Sequence, residues 1–298
     1  MTKEFYRFSV GSFECTSLKD GEKEYTLSEV FSNAPEDEVR RHLRAKQMRD
    51  DVVITPFTYL HVDTGGREIL IDAGAGKLFP STGRLLESMA AAEIDPRAID
   101  MVIITHAHPD HVGGLLLDDG SPAFPNATCV ISKREWDFWH SDAARERAKE
   151  AQRWFFDFAR SRLDPFRERT HLVEFNGEEV ILFPGIGLWS APGHTPGHMV
   201  VELSSGGESL LYIGDAVILP IHLEEPTWHP VYDIDVAAAD ASKRFIFDRA
   251  ADRGAWVIGQ HFPPFPSLGH VARQAGGWAW RPVEIGKPAG EGAAGVRS

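Results

Sequence analysis

The chain has 298 residues, 43% of them hydrophobic, which is ample for one large domain with a real core. Its formal charge of −13 opposes binding to nucleic acid or to an anionic membrane surface. No apolar run reaches a membrane span, Met1-Thr2-Lys3-Glu4-Phe5 lacks a signal-peptide core, and Cys15 and Cys129 imply no disulfide framework; the expected location is cytoplasmic.

In chain order, Asp51 to Val62 and Glu68 to Asp72 read as a strand pair turning at Asp63-Thr64-Gly65-Gly66. Arg84 to Glu93 reads as a short helix ended near Asp95-Pro96. The apolar run Met101-Val102-Ile103-Ile104 reads as a buried strand. Between residue 111 and His194 lies a segment of about eighty residues, with an aromatic-rich helical insertion at about 132–170. It is expected to hold a strand from Ala127 to Ile131, with Cys129 as a small core residue, and two helical stretches. The second stretch, Ala144 to Arg160, places Ala144, Ala148, Ala151, Phe155 and Phe158 on one face. Strands resume from His171 through Asp215, with turns at Asn176-Gly177, Pro184-Gly185 and Ser205-Gly206-Gly207, and a helix from Val236 to Arg253 precedes a last strand. Residues 1–283 are expected to form one domain and 284–298, rich in Gly and Ala, a disordered tail. No role is read for residues 1–50. The pattern by itself says mixed α and β.

The densest chemistry follows the Met101 strand. His106, His108 and His111 fall within six positions of one another, together with the carboxylate of Asp110. Pro109 ends regular pairing, so the histidines sit at a strand end where the turn folds several imidazoles toward one point. Imidazole nitrogen and carboxylate oxygen are ligands that zinc and other first-row metals accept. A lone histidine is more often surface or core; four donors in six positions favour a metal.

The stretch Thr105-His106-Ala107-His108-Pro109-Asp110-His111 resembles the HxHxDH signature of the metallo-β-lactamase superfamily. Further along, Ala191-Pro192-Gly193-His194, Leu210-Leu211-Tyr212-Ile213-Gly214-Asp215 and Trp256-Val257-Ile258-Gly259-Gln260-His261 match that family's later ligands, each after an apolar run. Upstream, Glu68-Ile69-Leu70-Ile71-Asp72-Ala73-Gly74 matches its strand and Asp-x-Gly turn. The resemblance covers roughly residues 50 to 283 and implies an αββα sandwich, two facing mixed sheets with outer helices and metals at one edge. It implies that His106, His108 and His194 hold one ion, that Asp110, His111 and His261 hold a second, and that Asp215 bridges them. The implied cofactors are two divalent ions, zinc first, with iron, manganese or cobalt as alternatives. Such a pair holds a shared water as hydroxide near neutral pH, and Asp110 and Asp215 are the catalytic candidates, Asp110 for proton transfer. Asp72 and His198 are expected to orient ligands, or to form a turn or pack, rather than to bind metal. His61, His140, His171, His229 and His270 have no motif context and read as surface or core. His222, seven residues past Asp215, is a candidate pocket residue, and Gly113-Gly114 reads as a close backbone approach.

The insertion carries Trp136, Phe138, Trp139, Trp154, Phe155, Phe156 and Phe158, more aromatic surface than one helix face buries, so some of it is expected to line an apolar pocket. The segments Asp72 to Phe79, Ala123 to Asn126, Glu135 to Trp139 and Pro263 to His270 are similar to the methyl parathion hydrolase branch, which includes phosphotriesterases and quorum-quenching lactonases. By that likeness Phe79, Trp139, Phe155 and Phe156 are pocket walls. Better-known acyl-homoserine lactonases have a tyrosine three positions after the bridging Asp; here it is Ile218, also placed in the pocket. The expected function is hydrolysis of apolar lactones or esters, of the acyl-homoserine-lactone type, with phosphotriesterase activity as a companion. Partners are a small apolar ester or lactone, no nucleic acid and no membrane, and a homodimer is compatible. The alternatives are a glyoxalase II-like thioesterase, whose anionic substrate needs basic residues that Arg273, Arg281, Lys287 and Arg297 offer only scattered, and a persulfide dioxygenase with a single iron. A β-lactamase is disfavoured by Asp215 and by the Asp110-His111 pair.

Overall fold

The computed structural model describes residues 4–284; the expectation for a disordered tail falls, save for Glu284, outside the described residues. The first sheet runs in chain order: β1 (Phe5–Val10), β2 (Phe13–Thr26), β3 (Val52–Asp63), β4 (Glu68–Ile71), β5 (Met101–Ile104), β6 (Thr128–Ser132) and β7 (Thr170–Val173). The second does the same: β8 (Glu179–Phe183), β9 (Ile186–Ser190), β10 (Met199–Ser205), β11 (Glu208–Tyr212), β12 (Trp256–Ile258), β13 (Leu268–Gln274) and β14 (Gly277–Pro282). The pairs β4–β5, β5–β6, β6–β7 and β11–β12 are parallel, and the others are antiparallel.

Three apolar layers explain the sandwich. Between the sheets, Leu60, Ile69, Ile71, Ile103 and Val130 meet Leu188, Met199, Val201, Leu210 and Tyr212. Behind the first sheet, Leu70, Val102, Ile104 and Ile131 pack under helices that supply Leu85, Met89, Trp136 and Leu163. Behind the second, Leu211, Ile213 and Val257 pack against Ile246, Phe247 and Ala250. Central strands are therefore buried on both faces, which is why β5 reads as an unbroken apolar run instead of alternating. This is the expected two-sheet arrangement with outer helices.

The helices are α1 (Leu27–Val30), α2 (Glu36–Ala45), α3 (Leu85–Ala91), α4 (Pro109–Val112), α5 (Lys133–Trp139), α6 (Asp142–Arg147), α7 (Arg153–Leu163), α8 (Ile221–Glu224) and α9 (Val236–Arg253). The last has the bounds read from sequence: the Asp235 side chain accepts from Ala238 N at its start, and Gly254 ends it in the left-handed region at φ 61°. The helix expected from Ala144 to Arg160 is broken. Ala148 is extended (φ −66°, ψ 151°) after α6 ends, and α7 starts afresh at Arg153. The Arg153 guanidinium donates to the freed carbonyls of Glu146 and Ala148, at 3.2 and 3.4 Å. The restart buries Phe156, Ala159 and Leu163, a different face from the one the periodicity selects. Residues 4–50 complete the first sheet, with β2 paired to β3 from Glu14 to Thr26. No helix among the described residues is long and apolar enough to cross a membrane.

Candidate metal centre

The parallel pairing of β4 with β5 sets their C-terminal ends side by side, so Asp72 meets the start of the histidine loop. Asp72, itself in the left-handed region at φ 60°, accepts from Thr105 N and Thr105 Oγ1, each at 2.8 Å, and from His111 Nδ1 at 2.8 Å. Thr105 Oγ1, having donated to Asp72, accepts from His106 Nδ1 at 3.2 Å. The single turn α4, begun by Pro109, then carries Asp110 and His111 around to the far side. From the second sheet, His194 Nδ1 donates to Asp233 Oδ1 at 2.9 Å. With their Nδ1 protons committed, His106, His111 and His194 turn their Nε2 atoms inward.

Two donor groups result, one of His106, His108, His194 and Asp215, the other of Asp110, His111, His261 and Asp215. In the first, His108 Nδ1 stands 3.0 Å from His106 Nε2 and 2.9 Å from His194 Nε2, with Asp215 Oδ2 3.4 Å from His194 Nε2. In the second, Asp215 Oδ1 lies 3.4 Å from both His111 Nε2 and His261 Nε2, and Asp110 Oδ2 lies 3.3 Å from His261 Nε2. Ligands about 2.0–2.1 Å from a tetrahedral zinc are about 3.3 Å apart, so both groups have the right span. His111 Nε2 and Asp215 Oδ1 are buried without a hydrogen-bond partner, as expected of atoms whose partner is a cation. The residues fit two divalent ions with Asp215 facing both.

Protonation differs across the pair. Burial and the His194 ring hold His108 down to about 3, and burial with its imidazole neighbours holds His106 well below its ordinary value. On the other side burial opposes the imidazolium, yet Asp215 and Asp110 push His261 up to about 9, and Asp72, Asp215 and Asp110 raise His111 well above normal. Burial also opposes the Asp110 carboxylate, but His111 and His261 hold it at about 2. His106 and His108 therefore present neutral nitrogens, whereas a cation entering the second group displaces protons.

A cavity of about 160 Å³ opens over these donors. Phe79, Phe155 and Ile218, three of the residues placed in a pocket from sequence, are among those that line it. Trp139 and Phe156 do not: both are buried, and they wall an adjacent cavity of about 370 Å³ that shares His108, Phe155 and Tyr232 with the first. The Trp139 ring packs edge-on behind His108, centroids 5.5 Å apart, because Glu135 Oε1 holds its Nε1 at 2.6 Å. His222 lines neither cavity. It is a buried brace whose Nε2 donates to Val30 O at 2.9 Å while Nδ1 accepts from Leu219 N. His198 accepts from Asp215 N at 3.1 Å, so it steadies the shared carboxylate. Gly113 and Gly114 make the close approach read for them: a Cβ at either would stand 2.2 Å from the carbonyl oxygen of Ala75 or Ala73.

Two carboxylates escaped sequence reasoning. Glu135, fully buried on α5, accepts from Ala107 N (3.0 Å), Trp139 Nε1 (2.6 Å), Thr195 Oγ1 (2.7 Å) and Gly197 N (2.9 Å). It ties the insertion to both histidine loops, and no side chain fits at Gly197, where a Cβ would be 2.1 Å from Glu135 N. Asp233 holds His194 with one oxygen and accepts from His229 Nδ1 with the other at 3.1 Å, so His229 is a buried support behind a candidate ligand. Against the effect of burial, those two bonds keep Asp233 well below the usual carboxylate range.

The sequence profile of the Metallo-beta-lactamase superfamily matches residues 54–261. The chain belongs to that superfamily. It is 28% identical over 139 residues to the N-acyl homoserine lactonase AttM of Azorhizobium caulinodans, a match spanning 43% of this chain and 46%, about half, of that relative's length. Among solved structures, it resembles AidC, a dizinc quorum-quenching lactonase in complex with its product, at 28% identity and a TM-score of 0.88, over 94% of this chain and 98% of that one. The hydrolase AbOPH matches equally well, with 27% identity, a TM-score of 0.88, and coverage of 96% of this chain and all of its own. AttM and AidC are thus lactonases by description, and AbOPH is described as a hydrolase of the beta-lactamase superfamily.

Proposed function

We propose that this protein opens apolar lactones of the acyl-homoserine type by hydrolysis at a binuclear centre. Membership of the superfamily makes it a metal-dependent hydrolase. The observation that carries the finer reading is the pair of donor groups sharing Asp215 beneath an apolar cavity, in a chain whose fold follows a dizinc lactonase over nearly its whole length. When bound, the two cations supply a water nucleophile at neutral pH and polarise the scissile carbonyl.

The chain's own groups do the rest. Phe79, Phe155 and Ile218 exclude water and hold the apolar part of the substrate. Asp110, ionised and on the cavity wall, takes the proton of the attacking water and returns it to the ring oxygen as the carbon–oxygen bond breaks. Asp72, Asp233 and Glu135 keep the inward nitrogens aimed. A phosphotriester offers the same polarisable oxygen and is the expected secondary substrate. A glutathione thioester fits poorly, since Arg273, one of the late cations, is already paired with Asp248 and Asp252.

Elemental analysis together with kcat/KM for lactones, aryl esters, phosphotriesters, thioesters and β-lactams tests the reading. About two metal equivalents and a preference for acyl-homoserine lactones are expected; a thioester or β-lactam that outruns every lactone refutes it.

A further inference from the structure

The wall that β2 contributes carries a cation that the reaction described above leaves unused. Lys23 and Tyr25 are two positions apart, so they leave the same face of β2, beside Thr55 and Val53 of β3. Both line the cavity over the candidate metal centre. Lys23 Nζ stands 3.7 Å from the Tyr25 ring centroid and 4.7 Å from that of Phe79, two aromatic faces that hold an ammonium in place. Only 19% of the side chain is exposed.

Its nearest carboxylate oxygen belongs to Glu29, 3.8 Å away, which balances the charge but is too far to accept a hydrogen bond. Glu29 is itself engaged: it accepts from Thr26 N at 2.8 Å, from Thr26 Oγ1 at 2.7 Å and from the Tyr232 hydroxyl at 3.0 Å. Lys23 is thus a partly buried ammonium whose N–H donors have no acceptor among the described residues. Such a group gains most from an acceptor delivered by a ligand. Because Glu29 already compensates the charge, the acceptor that suits it is neutral, and a carboxylate or phosphate would also meet the Glu29 and Asp110 carboxylates.

We propose that Lys23 is a specificity-determining residue that donates a hydrogen bond to a neutral carbonyl oxygen outside the scissile ring, namely the amide carbonyl of an acylamino lactone. The proposal rests on the lactonase reading above. It explains how an apolar cavity distinguishes an acylated amino lactone from an alkyl lactone of the same length.

The test compares an N-acyl homoserine lactone with a γ-alkyl lactone of matched chain length, in the metal-loaded protein and its Lys23→Met and Lys23→Arg variants. Methionine keeps the packing between Tyr25 and Phe79 and removes the donors. For the acylamino lactone, Lys23→Met is expected to raise KM about tenfold with kcat within about twofold, and Lys23→Arg to recover most of that loss. For the alkyl lactone neither variant is expected to change KM. The same about tenfold ratio is expected in calorimetric Kd values for the non-hydrolysed lactam analogues. If Lys23→Met shifts both substrates equally, or neither, the proposal is overturned while the lactonase reading stands. If the unaltered protein opens neither lactone, that reading fails and the proposal with it.

Discussion

Glu135 offers the sharpest test of how the site is held together. Its two oxygens accept four hydrogen bonds, two of them from backbone N–H groups inside the ligand loops: Ala107 lies between His106 and His108, and Gly197 lies three residues past His194. Glu135→Ala orphans four buried donors at about 1–3 kcal/mol each, a sum comparable with the entire stability of a domain. That variant is expected not to accumulate as folded protein. Glu135→Gln is the informative change. Its amide keeps one acceptor oxygen for two of the donors and turns an NH2 group toward the other two. The cost is roughly 2–6 kcal/mol before relaxation, and we expect about 3 kcal/mol. For a chain of this size that lowers Tm by about 6–12 °C. Because the disturbed loops carry His106, His108 and His194, the affinity of the first donor group should fall by about 10–100-fold, more than that of the second. Calorimetric melting with metal-competition titrations reads both quantities. A Glu135→Gln protein with unchanged Tm and metal affinity would show that the four bonds do not position the loops.

Asp215→Ala removes a donor from each group, so metal content should fall from about two equivalents to one or fewer, with activity down by more than about 100-fold, since groups merely behind a ligand are worth 10–100-fold; elemental analysis and kcat/KM check both. Binding of the second cation displaces protons from His111 and His261, so its apparent affinity should rise with pH up to about 9, and calorimetry in buffers of different ionisation enthalpy should detect proton release. In metal-free protein the sign reverses: the folded pKa of His261, about 9, is above its ordinary 6.5, so its stabilisation is full below pH 6.5 and lost as pH rises through about 9, which denaturant melts across pH 6–10 will register. Phe155→Ala should raise KM for apolar substrates about tenfold with little change in kcat, whereas Trp139→Ala should lower stability by about 3–5 kcal/mol, because Trp139 is buried behind His108; kinetics and thermal melts on both separate wall from support.

The sequence by itself determined a mixed α and β chain, the family likeness that implies the sandwich, and where the candidate donors lie along the chain. Each donor loop follows a short apolar strand, and strands buried on both faces, such as β5, leave a continuous hydrophobic run that survives as a local signal. His106 to His111 are close in space because they are close in sequence, so their shared purpose is legible without a structure. The helix α9 was readable for the same reason, its cap and terminal glycine being local. Tertiary structure alone decided which groups stand behind the donors and what shapes the cavity. Glu135 reaches Gly197 across 62 positions and Asp233 reaches His194 across 39, and a buried carboxylate that gathers distant backbone donors has no periodicity to betray it. The same holds for Lys23 and Tyr25, which belong to the site because β2 pairs with β3 in one register. The break at Ala148 and the withdrawal of His222 from the cavity follow from bonds to Arg153 and Val30 that neither spacing nor composition encodes. Strand ends converge by backbone geometry, which composition records locally; side chains arrive by packing between distant segments, which only the folded chain specifies.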